Sequence, residues 1–488
     1  MTEGWSLTTV QRWPSRRLEW LVGRGLILVL VLSPLPLASN RLWSWSLFGV
    51  WIGALLLTWL CWVALQQSQS QRVFLPRSLS LAGVLFAGVC LFVALQASCL
   101  TPEAWHNPVW NMASEALGPI SCTTISVHPT ATWTALARLM TYGCLFWLFL
   151  QFCHWNGRFS RLTLYALAVM PALNAAYGLA MTLSGLDLIF WYEKWAYRDV
   201  VTGTFVNRNS FAVFLGMGAV VNLAVIADKL DRLGLNKGNW RDHLRDGLVV
   251  LTSHLPVFIA GFALCIAGVI LTASRAGFAA TLTGIIVLAA THILRQSTAW
   301  GRACLLAVVI SAAVAGLTFA GGRNLEARLM DSDENAGIRM IVIAETFEAI
   351  SHQPWLGVGY GAFEDAWLLY RPSTIKSRFR QTHSTYIENL FELGVPAAVS
   401  LFLAVGLVIV VCFRGIWRRR RDAIFPAVAV AASLIPITHS AIDFSLQIPA
   451  VNYYVAALLG LGMAQAYSSQ DACGKEHKRY SRGGPQGN

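Results

Sequence analysis

Three widely separated stretches of the chain carry side chains suited to chemistry on a phosphorylated or hydroxylated substrate. Arg275 lies among small residues in the stretch 271–277, Arg339 lies in a later polar stretch, and His383 follows Gln381-Thr382. A guanidinium offers a fixed fork of donors to the oxygens of a diphosphate. An imidazole titrates near neutral pH and is the usual general base. These residue types predict a site that binds a diphosphate and takes a proton from a hydroxyl.

Further polar residues precede or follow apolar runs. Asn207, Arg208 and Asn209 offer two amides and a guanidinium that could hold sugar hydroxyls or a phosphate. The alternative is a helix N-cap followed by an arginine that extends to lipid headgroups. His439 is a further candidate for substrate binding, although a helix-end pair with Asp443 explains it equally well. No pair of carboxylates suited to glycoside hydrolysis stands out.

The composition requires membrane-spanning helices to position these residues. Of 488 residues, 56% are hydrophobic and 13% charged, with a mean hydropathy of +0.53, which is too apolar for a soluble globular protein. The apolar runs are continuous rather than alternating, which excludes a β-barrel. We predict an all-α polytopic membrane protein of about twelve spans, at residues 25–38, 44–65, 79–98, 134–153, 162–184, 209–227, 248–272, 276–294, 303–320, 393–413, 425–441 and 448–467.

The basic residues predict the orientation of these spans. The net charge of +12 could indicate nucleic-acid binding, but Lys and Arg lie in short segments between apolar runs and no basic soluble domain is present. Both termini are predicted in the cytoplasm. The predicted regions are a cytoplasmic N-terminus 1–24, a membrane region 25–320 of about nine spans, a large periplasmic loop 321–392, a membrane region 393–467 of about three spans, and a disordered cytoplasmic tail 468–488.

This orientation puts the candidate residues at the outer face. The apolar stretch 247–293 would be roughly 70 Å long as one helix, so it must double back, and the small residues around Arg275 are the natural turn. Arg275 then either grips a diphosphate or only extends to headgroups. Helical spacing over 336–350 predicts an amphipathic helix on the membrane surface with Arg339 on its polar side. His383 precedes a helix that enters the membrane.

The sequence leaves two covalent features undecided, namely cleavage of the first apolar run and a disulfide. The first apolar run resembles a signal peptide with a cleavage site at 37–39, but Pro34, Pro36 and the many later spans favour an uncleaved signal anchor. Cys99 and Cys122 flank an outer loop and could form a disulfide in an oxidising compartment.

Together, these stretches resemble the O-antigen ligase family, which includes lipopolysaccharide ligases, Wzy-type polymerases and some protein O-oligosaccharyltransferases. The resemblance covers roughly residues 200–400, and no single motif in it is specific. It is carried by Gly203-Thr204-Phe205-Val206-Asn207-Arg208-Asn209, Ser274-Arg275-Ala276-Gly277, Arg339 with Pro354-Trp355-Leu356-Gly357-Val358-Gly359, and His383-Ser384 followed by Gly394-Val395-Pro396-Ala397.

The resemblance implies a metal-independent glycosyltransferase without a cofactor, placed in the bacterial inner membrane with its active face toward the periplasm. The implied donor is an undecaprenyl-diphosphate-linked glycan, and the implied acceptor is a glycan or the lipid A-core. Membrane lipids and export-assembly proteins are further expected partners. The catalytic residues of the family fall on Arg275, Arg339 and His383.

Three alternatives are open at this point. A ligase and a repeat-unit polymerase are about equally compatible with these residues. A transporter or flippase is a different class, but transporters bury their ionisable residues near the bilayer midplane, whereas these candidates lie at one face. A non-catalytic scaffold in an export assembly predicts that loss of the Arg275 charge has no effect.

Overall fold

The computed structural model describes residues 12–65, 73–233, 254–295, 325–373, 375–419 and 421–467. These ranges are mostly helical, with loops and one two-stranded hairpin, β1 (Leu188–Ile189) and β2 (Tyr192–Glu193). The α-helices of the described ranges are α1 Arg12–Leu32, α2 Leu42–Leu65, α3 Arg77–Gln96, α4 Val109–Leu117, α5 Pro129–Trp155, α6 Gly157–Leu183, α7 Arg208–Leu233, α8 Leu255–Leu271, α9 Arg275–Arg295, α10 Leu325–Ile350, α11 Phe363–Ala366, α12 Thr385–Arg418, α13 Ile424–His439 and α14 Pro449–Ala464.

Seven of the described helices are long and apolar enough to cross a membrane, namely α2, α3, α5, α6, α7, α9 and α12. The apolar helices α8, α13 and α14 have only 16 or 17 residues. The predicted first span, 25–38, is shortened because α1 ends at Leu32, just before Pro34. The predicted span 303–320, the start of the predicted periplasmic loop and the predicted tail 468–488 lie outside the described residues. An all-α membrane protein is therefore confirmed, while the count of twelve spans stays a prediction.

Small residues bring the helices close together. A Cβ on Gly460 of α14 would lie 2.7 Å from the carbonyl oxygen of Phe146 on α5, and one on Gly284 of α9 would lie 2.9 Å from the carbonyl oxygen of Ala431 on α13. Small residues at such crossings let backbones approach, which favours association of helices in lipid. The helices that carry the candidate residues are thereby fixed against one another.

The residues predicted on the cytoplasmic side gather at one end of the helix bundle. The carboxylate of Asp422, between α12 and α13, accepts hydrogen bonds from Arg161 at 2.8 Å and Arg232 at 2.9 Å. Arg295, at the end of α9, donates a 2.8 Å hydrogen bond to the carbonyl of Arg419. The ends of α7, α9 and α12 and the start of α6 therefore share this end, as the predicted alternation requires.

The loop between α3 and α5, predicted to lie on the outer side, is fastened by a disulfide and by hydrogen bonds to the segment before α12. Cys99 and Cys122, whose pairing the sequence left open, form a disulfide with their Cα atoms 5.5 Å apart. After it, the amide of Val127 donates a 2.9 Å hydrogen bond to the carbonyl of Val358. His128 pairs with Asp365 at 2.6 Å. The loop thus braces the segment 351–384 from the side.

A kink in α12 receives the glycine-rich segment 354–361. Gly394 has φ +71° and interrupts the helix, and Gly357 has φ +64°. The amide of Gly359 donates a 3.0 Å hydrogen bond to the carbonyl of Glu392, which the kink leaves without a helical partner. The buried side chain of Gln96 donates to the carbonyls of Leu356 at 2.7 Å and Glu392 at 2.9 Å. Backbone pairing at this kink therefore accounts for the glycine pattern.

The predicted amphipathic helix at 336–350 is present, but it is longer than predicted, as α10, and one of its faces packs on protein. Val342, Thr346 and Ala349 are buried. Val342 and Ala349 belong to a cluster with Val358, Phe363, Ala366, Trp367, Ile375 and Phe391. Met340 and Phe347, on other faces, are exposed. The following segment folds back and covers one face of this helix, and its position on the membrane surface stays a prediction.

Candidate functional site

His383 lies in a turn that directs its side chain away from the helix it precedes. Its φ of +61° is in the left-handed region, and α12 begins two residues later with Ser384 as the extended N-cap residue. The ring packs against Phe444, with centroids 5.3 Å apart. A bulky residue at positive φ is uncommon and persists only where its surroundings hold it. The conformation of this histidine is therefore imposed by its neighbours.

The His383 ring lies beside the buried carboxylate of Asp443, which follows the end of α13 in the chain. His383 Nδ1 lies 3.4 Å from Asp443 Oδ1, and the side chains are 19% and 3% exposed. A hydrogen on Nδ1 directed at this carboxylate leaves the lone pair of Nε2 for an incoming hydroxyl. The pairing gives His383 the orientation that a general base requires.

Asp443 is itself held by other elements. Its Oδ2 accepts a 2.6 Å hydrogen bond from Asn209 Nδ2, and its Oδ1 accepts one of 2.9 Å from the amide of Phe444. Burial acts to raise the pKa of Asp443, but the hydrogen bond with His383, the nearby His439 and the Asn209 amide outweigh it and hold the pKa below its usual value. The residue is therefore a carboxylate at neutral pH.

The predicted binding residues Asn207, Arg208 and Asn209 do not all have the same role in the structure. Asn207 is a helix cap, since its Oδ1 accepts hydrogen bonds from the amides of Asn209 at 2.7 Å and Ser210 at 3.1 Å. Arg208 has its guanidinium carbon 5.5 Å from the ring centroid of Tyr197. Of the three side chains, that of Asn209 contacts Asp443. The capping explanation is thus correct for Asn207, while Asn209 belongs to the site.

Arg275 is the first residue of α9, directly after the turn in which the apolar stretch doubles back. Ser274 Oγ accepts a 3.1 Å hydrogen bond from the amide of Gly277, which caps the helix, and Gly277 packs against Ala212 of α7. Because Ala212 lies one turn after Asn209, Arg275 stands beside the first turn of α7. Its side chain is exposed and forms no hydrogen bond or ion pair with any other residue of the described ranges.

Arg339 lies on α10, one turn before the buried Val342, and is partly buried. Within the part of the chain that the structure describes, its guanidinium likewise has no hydrogen bond or ion pair. No contact joins it to Arg275 or His383 among these residues. The structure therefore brings together His383, Asp443 and Asn209 by direct contacts, and the two arginines do not contact that group.

His439 is placed beneath the site rather than at its surface. It is 1% exposed, and its Nδ1 lies 3.0 Å from Ser445 Oγ. The amide of Asp443 donates a 3.1 Å hydrogen bond to the His439 carbonyl. This burial favours a role in supporting Asp443 over the predicted contact with substrate.

A second polar layer, which was not predicted from the sequence, lies directly behind His383. Glu388 and Glu392, four residues apart on α12, are 5% and 3% exposed. Arg138 on α5 is close enough to interact electrostatically with both carboxylates. The signal was available as two glutamates at helical spacing on a helix that enters the membrane and an arginine within an apolar run, since such residues usually have partners.

Comparison with known proteins agrees with the sequence motifs. Residues 260–402 match the family model described as O-Antigen ligase (Wzy_C). This segment contains Arg275, Arg339 and His383, while Asn209 and Asp443 lie outside it. No curated protein matches the chain significantly. Residues 260–402 are therefore similar to the O-antigen ligase family, and the described part of the chain holds seven helices long and apolar enough to cross a membrane.

Proposed function

We propose that this protein transfers a glycan from an undecaprenyl-diphosphate carrier to an acceptor hydroxyl at the periplasmic face of the bacterial inner membrane. The observation that carries the proposal is the His383–Asp443–Asn209 chain of contacts, which orients an imidazole beside an ionised carboxylate. The O-antigen ligase domain supports a glycan substrate and a lipid-linked donor.

In the proposed reaction the acceptor oxygen attacks the anomeric carbon of the donor glycan. His383 Nε2 takes the hydroxyl proton as the new C–O bond forms. The bond between the anomeric carbon and the diphosphate oxygen breaks, and its electron pair stays on the diphosphate. Arg275 and Arg339 would stabilise the charge that develops on this leaving group, since guanidinium forks match phosphate oxygens in a site of low dielectric. His383 then returns its proton to solvent.

The experiment is transfer by the purified protein in liposomes that contain undecaprenyl-diphosphate-linked glycan and an acceptor. His383→Ala should lower transfer roughly 10²–10⁴-fold, the usual contribution of a general base. His352→Ala is the matched control, because this exposed histidine lies in the same segment and should leave transfer unchanged. Full transfer by His383→Ala would remove the histidine from the mechanism. Movement of the intact lipid-linked glycan across the bilayer without bond formation would show a transporter instead.

The acceptor distinguishes a ligase from a repeat-unit polymerase. We propose the ligase reaction, with the lipid A-core as acceptor, and keep the Wzy-type polymerase, with a growing glycan as acceptor, as the second candidate. In a strain without this protein, ladders of unattached long glycan indicate a ligase, whereas single unpolymerised repeats indicate a polymerase. No change in either pool would contradict both.

A further inference from the structure

The turn that carries His383 is fastened from behind by one buried carboxylate. Glu388 Oε2 accepts a 2.8 Å hydrogen bond from the amide of Thr382 and lies 3.2 Å from the hydroxyl oxygen of the same residue. The same hydroxyl donates a 2.7 Å hydrogen bond to the carbonyl of Ser384. The residues on both sides of His383 are therefore tied to Glu388, directly or through Thr382.

The other oxygen of the same carboxyl group contacts the segment that follows Asp443. Glu388 Oε1 accepts a hydrogen bond from Gln447 Nε2 at 2.5 Å. Gln447 ends the short helical turn that follows Asp443 and Phe444. One carboxyl group thus links the turn that carries the imidazole to the turn that carries its carboxylate partner.

This linkage helps to hold His383 in its unfavourable left-handed backbone conformation. At φ +61° the residue does not adopt its conformation by preference, so surrounding contacts must fix it. The contact between the amide of Thr385 and the carbonyl of Ser440, at 3.0 Å, joins the two turns at the backbone. Glu388 adds the side-chain link, and a carboxyl group suits this task because its two oxygens accept from donors on both sides at once.

We propose that Glu388 is a positioning residue that holds His383 opposite Asp443. It does not touch the reacting atoms, and its kinetic role rests on the glycosyl transfer proposed above. The hydrogen bond from Gln447 to Glu388 needs a donor on one side chain and an acceptor on the other. Exchanging these two side chains should therefore restore it. In the Glu388→Gln/Gln447→Glu double variant, the oxygen of the new side-chain amide at position 388 accepts from Thr382. The nitrogen of that amide donates to the new carboxylate at position 447.

The kinetic test compares Glu388→Ala, Glu388→Gln and the double exchange with Glu115→Ala, which removes an exposed carboxylate of α4, in the loop between α3 and α5. We expect Glu388→Ala to lower kcat about 100-fold, the effect of a misplaced catalytic group, with little change in KM for the lipid-linked donor. Its profile of kcat against pH should change shape. The double exchange should recover at least about tenfold of the loss, and Glu115→Ala should match the unaltered protein.

A second measurement does not depend on activity. Diethyl pyrocarbonate modifies accessible imidazoles, and mass spectrometry after digestion gives the rate at His383. We expect this rate to rise several-fold in Glu388→Ala and to return in the double exchange, with His106 as the internal reference. If the unaltered protein transfers no glycan, the proposed function fails and this rate still decides the role of Glu388. An unchanged rate with an unchanged kcat would overturn the proposal, as would a loss that the exchange does not recover in folded protein.

Discussion

The side-chain amide of Asn209, in the first turn of α7, donates a 2.6 Å hydrogen bond to the carboxylate of Asp443, 234 residues later in the chain. The second oxygen of that carboxylate faces the His383 imidazole. Two parts of the chain outside the matched ligase segment thereby define the orientation of the candidate base within it. Predictions about the reaction follow from this contact and from the roles proposed for Arg275 and Arg339.

The charge of Asp443 should be needed for activity and should give stability a defined pH dependence. Because its folded pKa lies below its usual value, its stabilising contribution is present above the unfolded pKa, roughly 3.9, and is lost as the pH falls through the lower folded pKa. The difference in Tm between the unaltered protein and Asp443→Asn should be present at about pH 5 and above and shrink below about pH 4. Thermal unfolding in detergent measures it, with the exposed Glu103→Gln as control. A difference that grows on acidification would contradict the assigned charge.

Arg275 and Arg339 should require the guanidinium group and not only a positive charge. Alanine at either position should lower transfer roughly 10²–10³-fold, as for other groups that stabilise charge in the transition state. Lysine should restore only part of it, because an ammonium lacks the planar fork that fits a diphosphate. Arg198→Ala is the control, since this exposed arginine pairs with Glu193 on the β-hairpin. Equal transfer by the alanine and unaltered proteins would support the scaffold alternative.

The kink in α12 should tolerate no side chain at its glycine. Gly394→Ala meets both a φ of +71° and the carbonyl oxygen of Trp355, 2.5 Å from the new Cβ. We expect the change to cost about 1–3 kcal/mol, as for other strained backbone positions. Gly406→Ala on the same helix is the matched control, because a Cβ there meets nothing within 4 Å, and it should be neutral or slightly stabilising. Thermal unfolding of both variants makes the comparison, and similar values would contradict the kink.

The Cys99–Cys122 disulfide in the loop between α3 and α5 should stabilise the folded protein. Removing it in the Cys99→Ala/Cys122→Ala double variant should cost about 2–4 kcal/mol, by the loop-closure argument. Cys61→Ala is the control, because that cysteine is free and exposed. Unfolding with and without reductant measures the effect. Stability that does not respond to reductant in the unaltered protein would show that the bond adds nothing.

Local patterns in the sequence predicted much of the fold. Continuous apolar runs predicted helices such as α3, α5 and α9, and the excessive length of the run around Arg275 predicted the turn there. These features depend on residues close together in the chain. The same local reasoning predicted that His383 precedes a helix, which the structure contains as α12.

The contacts that define the site could not be predicted in this way. His383 and Asp443 are 60 residues apart, and their pairing depends on how α12 packs beside α13. The sequence offered His439 as the neighbour of Asp443 at helical spacing, but α13 ends at His439, so Asp443 turns toward another element. The glycines of 354–361 were unexplained because their partner is a kink more than 30 residues later.

The segment between α10 and α12 is held at both of its ends. This bears on how its length can differ among related proteins. Residues 354–361 dock on the kink at Gly394, and residue 382 is tied to Glu388. The stretch between them is a loop whose two ends are held by these contacts, whatever its length. Lengthening such a loop costs little free energy. Insertions there would therefore reshape this part of the surface while the imidazole stays at the same point. Under the proposed transfer, such insertions would change which acceptors fit without moving the base.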